Sequence, residues 1–304
     1  MISTSYRILA WSSFVGMFFV LVAGAIVTQT GSGRGCGSDW PLCNGRFIPA
    51  YTLESLIEYS HRLITGIVGL LVVCTFFSTW PYRKPYREAF VYASGTLIFT
   101  IIQALMGAAA VKWTQQPAVM ALHFGISLLA VAASMLLVVW IHRFNKPSNP
   151  SVQSSTGISL FAWFIWLFCY GVVYLGAFIR HMKVEGGCSG WPLCNGRVIP
   201  VLTHATEVVF AHRLAAIFLL VLMIAWLIII RRIEAPRERA AFTMAAVFSL
   251  LCTVGQILSG AWLTYAFRNV NEMFFASLLH NTLATLLFSL LTDTAIRSWK
   301  YRKK

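Results

Sequence analysis

Trp40-Pro41-Leu42-Cys43-Asn44-Gly45-Arg46 returns letter for letter as Trp191-Pro192-Leu193-Cys194-Asn195-Gly196-Arg197. Seven identical residues that include Trp, Pro and Cys are not a coincidence of composition, so the chain is read first as a duplication. The register extends outward from this stretch in both directions. Eighteen residues after Cys43 stands His61, in His61-Arg62-Leu63, and eighteen after Cys194 stands His212, in His212-Arg213-Leu214. Gly24-Ala25 precedes Cys36 by twelve residues, as Gly176-Ala177 precedes Cys188. Further along, Gln103-Ala104-Leu105-Met106-Gly107-Ala108 is echoed by Gln256-Ile257-Leu258-Ser259-Gly260-Ala261.

The segments between these motifs are apolar. Of 304 residues, 58% are hydrophobic and 11% charged, whereas a soluble domain carries roughly 25% charged residues. So few charges cannot cover a water-facing surface. A bilayer core of about 30 Å needs about 20 apolar residues of helix, and stretches of that length recur at about 8–29, 58–80, 89–112, 117–141, 159–181, 208–230, 240–265 and 273–296. Lipid-exposed backbone must bond within its own segment or in a closed barrel, and barrels show short alternating runs instead. The expected class is therefore an all-α integral membrane protein with eight transmembrane helices. Four spans per half make the two halves parallel repeats, each a four-helix bundle, over residues 1–148 and 149–304. The polar stretch Asn145–Ser155 is the expected linker. The first apolar run follows Arg7 without a small-residue cleavage site, so it reads as a retained span.

Eight spans place both termini on one side, and basic residues decide which. With the termini inside, 15 of the 24 Lys and Arg but only four of the ten acidic residues fall on the inner side, which then holds +11 of the net +14. The high pI reflects topology and anionic lipid headgroups and gives no reason to invoke nucleic acid.

Seven histidines are present, and the repeat sorts them. His61 matches His212 and His123 matches His280, whereas His142, His181 and His204 have no counterpart. One intramembrane histidine is ordinarily a hydrogen-bonded packing residue. Four at duplicated positions, each within about two turns of the outer end of its span, suggest ligands, since ionisable groups in a bilayer are costly and neutral imidazole is the commonest metal ligand. Two histidines from facing helices of a bundle can ligate one haem iron axially. A bare zinc or copper ion would ask for three or four clustered ligands. Arg62 and Arg213 directly follow their histidines, with haem propionates or lipid phosphates as candidate partners.

Cys36 and Cys43 fall in the first outer loop, Cys188 and Cys194 in the third, on the side where disulfides form. Each pair is local to one loop, so Cys36–Cys43 and Cys188–Cys194 are the expected pairings. Their spacing is loose for a redox motif, and a staple over each bundle and a reactive pair both remain open. The repeat breaks at one place of chemical interest. Aligning His61 with His212 sets Glu58 opposite Val209, so only the first half carries a carboxylate three residues before its histidine. Residues three apart share a helix face. A first-turn acid that contacts water and complements the helix dipole is the alternative.

Gly31-Ser32-Gly33-Arg34-Gly35-Cys36 leading to Trp40-Pro41-Leu42-Cys43, followed by Glu58-Tyr59-Ser60-His61-Arg62, closely resembles the bacterial heme A synthases, and the resemblance covers essentially the whole chain. It implies a haem-dependent oxidoreductase of the bacterial plasma membrane that converts heme O to heme A by oxidising one ring methyl to a formyl group. It implies a heme O synthase upstream and cytochrome oxidase assembly downstream. Carried across, His61 and His123 would face the substrate haem, His212 and His280 would ligate the iron of a haem b cofactor, and Glu58 would be the catalytic carboxylate. Cys36 and Cys43 match a first cysteine pair present in part of that family, and Cys188 and Cys194 match the second. From the residues alone, two other classes stay open. A di-haem b-type electron carrier needs both histidine pairs and no distinguishing carboxylate; a membrane thiol oxidoreductase needs a reactive cysteine pair and no haem.

Overall fold

The computed structural model describes residues 2–47, 51–113, 115–144, 155–233 and 236–302. Eight long helices account for most of them: α1 Thr4–Gln29, α2 Leu53–Thr79, α3 Arg87–Lys112, α4 Pro117–Arg143, α5 Thr156–Met182, α6 His204–Ile229, α7 Pro236–Ala266 and α8 Val270–Lys300. All eight are long and apolar enough to cross a membrane. Among the described residues there is no strand, only two isolated bridges in the cysteine loops.

Hydropathy locates spans but not helix starts. α2 begins at Leu53 and α6 at His204, several residues before the apolar runs expected at 58 and 208. The reason is capping: Thr52 accepts the backbone N–H of Ser55 through its side chain, and Thr203 does the same for Thr206, satisfying donors that the first turn leaves open. α8 is likewise capped by Asn269, which accepts from Asn271 and Glu272. Pro117, tolerated in a first turn because its missing N–H is not needed there, opens α4. Glu58 consequently lies in the second turn of α2 rather than at its tip.

The chain divides into two compact units, Met1–Lys146 and Pro147–Lys304. The expected boundary at 148/149 and linker residues 145–154 lie outside the described residues. In the first unit α1 packs on α2 and α4, and α3 packs on α2 and α4, so the four helices close a ring with α2 and α4 on one diagonal. In the second unit α5 packs on α6 and α8, and α7 packs on α6 and α8, leaving α6 and α8 on a diagonal.

The cores differ in chemistry. Away from its cysteine loop, the first unit joins α1 to α2 through two hydroxyl pairs, Tyr6 with Thr79 at 2.9 Å and Ser13 with Thr75 at 2.7 Å. Ser13, Thr75, Thr96 and Ser134 line a cavity of about one water molecule's size. In the second unit Trp226, Phe242 and Phe288 are fully buried, and Trp226 occupies the repeat position of Thr75. An indole fills the volume that small hydroxyl side chains leave open.

Candidate functional site

Each cysteine loop is a compact turn docked on the start of a helix. Asn44 and Gly45 both have positive φ, 50° and 73°, as do Asn195 and Gly196, at 54° and 75°. That is the backbone of a type I′ turn, which Asn-Gly favours because neither residue resists the left-handed region. Cys43 and Arg46 exchange two backbone hydrogen bonds across the turn, at 2.9 and 3.1 Å, and Cys194 and Arg197 do so at 3.0 and 3.1 Å. The Trp40–Pro41 and Trp191–Pro192 peptide bonds are cis. Disulfides join Cys36 to Cys43 and Cys188 to Cys194, with Cα atoms 4.3 and 4.7 Å apart.

The residue before each first cysteine must be glycine. A Cβ on Gly187 would sit 2.6 Å from the Ala205 carbonyl oxygen, and one on Gly35 would overlap the backbone of Glu54. This approach lets the loop satisfy the helix start: Ser55 donates to the Gly35 carbonyl at 2.6 Å, and Thr206 donates to the Gly187 carbonyl at 3.2 Å.

Both arginines that follow the histidines fasten these loops, a role the sequence did not disclose. Arg62 donates to the Asp39 and Leu42 carbonyls at 2.7 and 2.6 Å. Arg213 donates to the Leu193 and Cys188 carbonyls, each at 3.0 Å, and to the Thr264 hydroxyl at 3.2 Å. A planar guanidinium suits this work because its donors form a fixed fork.

Glu58 is 3% exposed, so the reading of a solvent-contacting first-turn acid is set aside. One carboxylate oxygen pairs with Arg62 at 2.5 Å and the other accepts the Cys36 backbone N–H at 2.8 Å. Burying a carboxylate is costly unless it is paired and hydrogen-bonded, and both conditions are met here. At the matching place, Val209 is 7% exposed and packs with Ile179, Cys188 and Cys194.

The four repeated histidines lie about 9–15 Å along their helices from the first residue, at 1.5 Å per residue. His61 and His123 stand on the diagonal helices α2 and α4, His212 and His280 on α6 and α8. All four side chains are partly buried. Each ring rests against a glycine of the preceding helix. A Cβ at Gly24 would meet the His61 ring at 3.3 Å, at Gly107 the His123 ring at 3.9 Å, at Gly176 the His212 ring at 2.9 Å, and at Gly260 the His280 ring at 3.5 Å. These glycines were visible as part of the repeat, but their role as ring seats was not.

The backbone behind two of the rings is held by a second pair of matched residues. Gln103 donates to the His123 carbonyl at 2.7 Å and Gln256 to the His280 carbonyl at 2.6 Å. The His280 ring also meets Ser259, with Nδ1 and Oγ 2.8 Å apart; nothing in the sequence singled that serine out. The Nδ1 atom of His61 is buried without a hydrogen bond. Among the described residues no group of three or more His, Cys, Asp or Glu comes together. Two histidines on diagonal helices suit the axial positions of a haem iron; a bare zinc or copper site takes more ligands.

Residues 7–292 match the model of the cytochrome oxidase assembly protein family. The chain is 35% identical over 279 residues to a heme A synthase of Alkalihalophilus pseudofirmus, covering 91% of this chain and 92% of that one. It is 36% identical over 306 residues to a heme A synthase of Geobacillus thermodenitrificans, covering 98% and 94%, and 35% identical over 291 residues to one of Bacillus cereus, covering 94% and 91%. The chain belongs to the heme A synthase family. Similarity to these heme A synthases runs through both four-helix units, so the second unit is as much a part of the family's makeup as the first.

Proposed function

We propose that this multi-pass membrane protein is a heme A synthase, an oxidoreductase that converts heme O to heme A. Its relatives carry that name over nine-tenths of the chain. The observation that supports the reading most strongly is the pair of partly buried histidines on diagonal helices in each unit. It is joined by a carboxylate that only the first unit has. Taking a ring methyl to a formyl group consumes one water molecule and releases four protons and four electrons.

We assign the substrate to the first unit, residues 1–148, and the resident cofactor to the second, residues 149–304, the two being parallel repeats. His61 and His123 face heme O. His212 and His280 would hold haem b, which supplies one-electron redox chemistry when bound. The second pair fits that group: both rings lean on glycine, and His280 keeps one ring nitrogen turned to Ser259. Glu58, one turn from His61 on α2, accepts protons released from the methyl group or stabilises developing positive charge. Arg62 and the Cys36 amide fix where its oxygens point. The Gly24 and Gly107 seats set the orientation of the two substrate-facing rings.

The basic-residue bias puts both termini in the cytoplasm and the cysteine loops outside the plasma membrane. A heme O synthase would supply the substrate, and cytochrome oxidase assembly would consume the product. Pigment extraction from purified protein, with and without heme O, tests the activity. Heme A or its hydroxylated precursor beside haem b is the expected outcome; haem b alone would indicate an electron carrier, and absence of haem a thiol oxidoreductase. After mild reduction, an impermeant thiol reagent should label Cys36 and Cys188 in intact cells. Labelling only in inverted vesicles would reverse the orientation.

A further inference from the structure

Ser259 lies on α7, one residue before the glycine that seats His280, and is 4% exposed. Its hydroxyl donates to the Gln256 carbonyl one turn back, at 3.1 Å, and lies 2.8 Å from Nδ1 of His280. A serine hydroxyl has one proton and two lone pairs. With its proton directed to the Gln256 carbonyl, the hydroxyl has a lone pair free to accept from the histidine, an arrangement that pairs with the tautomer carrying its ring proton on Nδ1 and its lone pair on Nε2. This arrangement is singular to the second unit. Aligning Gln103 with Gln256 sets Met106 where Ser259 stands, and a thioether is a weak acceptor.

From this geometry we propose that Ser259 is the positioning residue of the cofactor ligand: it holds His280 as the Nδ1–H tautomer and presents Nε2 to the iron. The proposal rests on the reading that His280 ligates haem b. A ligating histidine commonly donates its other N–H to an acceptor, which sets the tautomer and ring orientation and raises ligand basicity. A stronger donor favours the ferric over the ferrous state. Loss of the hydroxyl therefore weakens haem retention and moves the midpoint potential upward.

Four variants test this, each purified in detergent and checked for a monodisperse elution profile: Ser259→Ala, Ser259→Thr, Ser259→Met and His280→Ala. The readouts are haem b content, the optical redox titration and the low-spin ferric resonance signals, none of which depends on turnover. Ser259→Ala and Ser259→Met should retain haem b roughly 10- to 100-fold less tightly, the usual effect of removing such an outer partner, with a raised potential and altered ferric signals. Ser259→Thr, which keeps the hydroxyl, should restore both. Wild-type potential and retention in Ser259→Ala, or equal shifts in the alanine and threonine variants, would overturn the positioning role. Retention of haem b by His280→Ala would instead overturn the ligand assignment on which the proposal stands.

Discussion

The two cysteine loops share seven consecutive residues, a cis Trp-Pro bond, an Asn-Gly turn and a local disulfide, yet they are anchored differently. In the first unit a buried carboxylate lies between the loop and the arginine, bound to both. In the second, Val209 packs against the disulfide while Arg213, Thr206 and Tyr265 donate to carbonyls of the loop. The second loop shows that docking needs no acid. In the proposed function Glu58 therefore has a task beyond holding the loop. The helices that seat the histidine rings repeat the contrast, with a serine on α7 facing His280 and a methionine at the matching position on α3.

The largest expected effect separates the histidine pairs. His212→Ala or His280→Ala should abolish stably bound haem b, whereas His61→Ala or His123→Ala should keep haem b and stop heme A formation. Spectra of the four purified variants decide it, and equal loss of haem b from all four would mean that the units are not specialised. Next comes the carboxylate. Glu58→Gln should retain the fold and haem b but lower heme A yield by about 100-fold or more, the scale of a lost acid–base group, with heme O or a hydroxylated intermediate accumulating in extracts. Val209→Glu should be tolerated, since Arg213 stands four residues on as Arg62 does from Glu58, and should give no activity in the Glu58→Gln background. Near-normal product from folded Glu58→Gln protein would remove the main distinction between the units.

The smallest effect compares the disulfides. Replacing either pair by serine should lower stability by about 2–3 kcal/mol, the closure entropy of so short a loop, measured by denaturation in detergent. Loss of the first pair should also reduce heme A yield several-fold, because the Cys36 amide positions Glu58; loss of the second should not. Equal yields from the two double variants would separate Glu58 from the loop that holds it.

Much of the architecture was legible because a bilayer leaves few choices. Long apolar runs must be helices when backbone groups cannot bond to water, so eight spans could be counted before any contact was known. The letter-for-letter repeat then marked His61, His123, His212 and His280 out of seven histidines, and exposed Glu58 as the position where the copies part. Helix starts are less legible: Thr52 and Thr203 cap α2 and α6, but hydropathy ends where the apolar run ends, so both helices start earlier than the apolar runs.

What the sequence by itself determined is therefore periodic and local: the helices, the Asn-Gly turns, the pairing of nearby cysteines and the identity of the duplicated residues. What only the tertiary structure decided is where side chains meet across elements. Arg62 and Arg213 serve the loops, Glu58 is buried between Arg62 and the Cys36 amide, each histidine ring lies on a glycine of the preceding helix, and Ser259 faces His280. The physical reason is that a helix face is fixed by its own spacing, but its partner depends on how neighbouring helices pack. Residues such as Ser259 and His280, 21 positions apart, carry no joint signal until α7 and α8 are brought together.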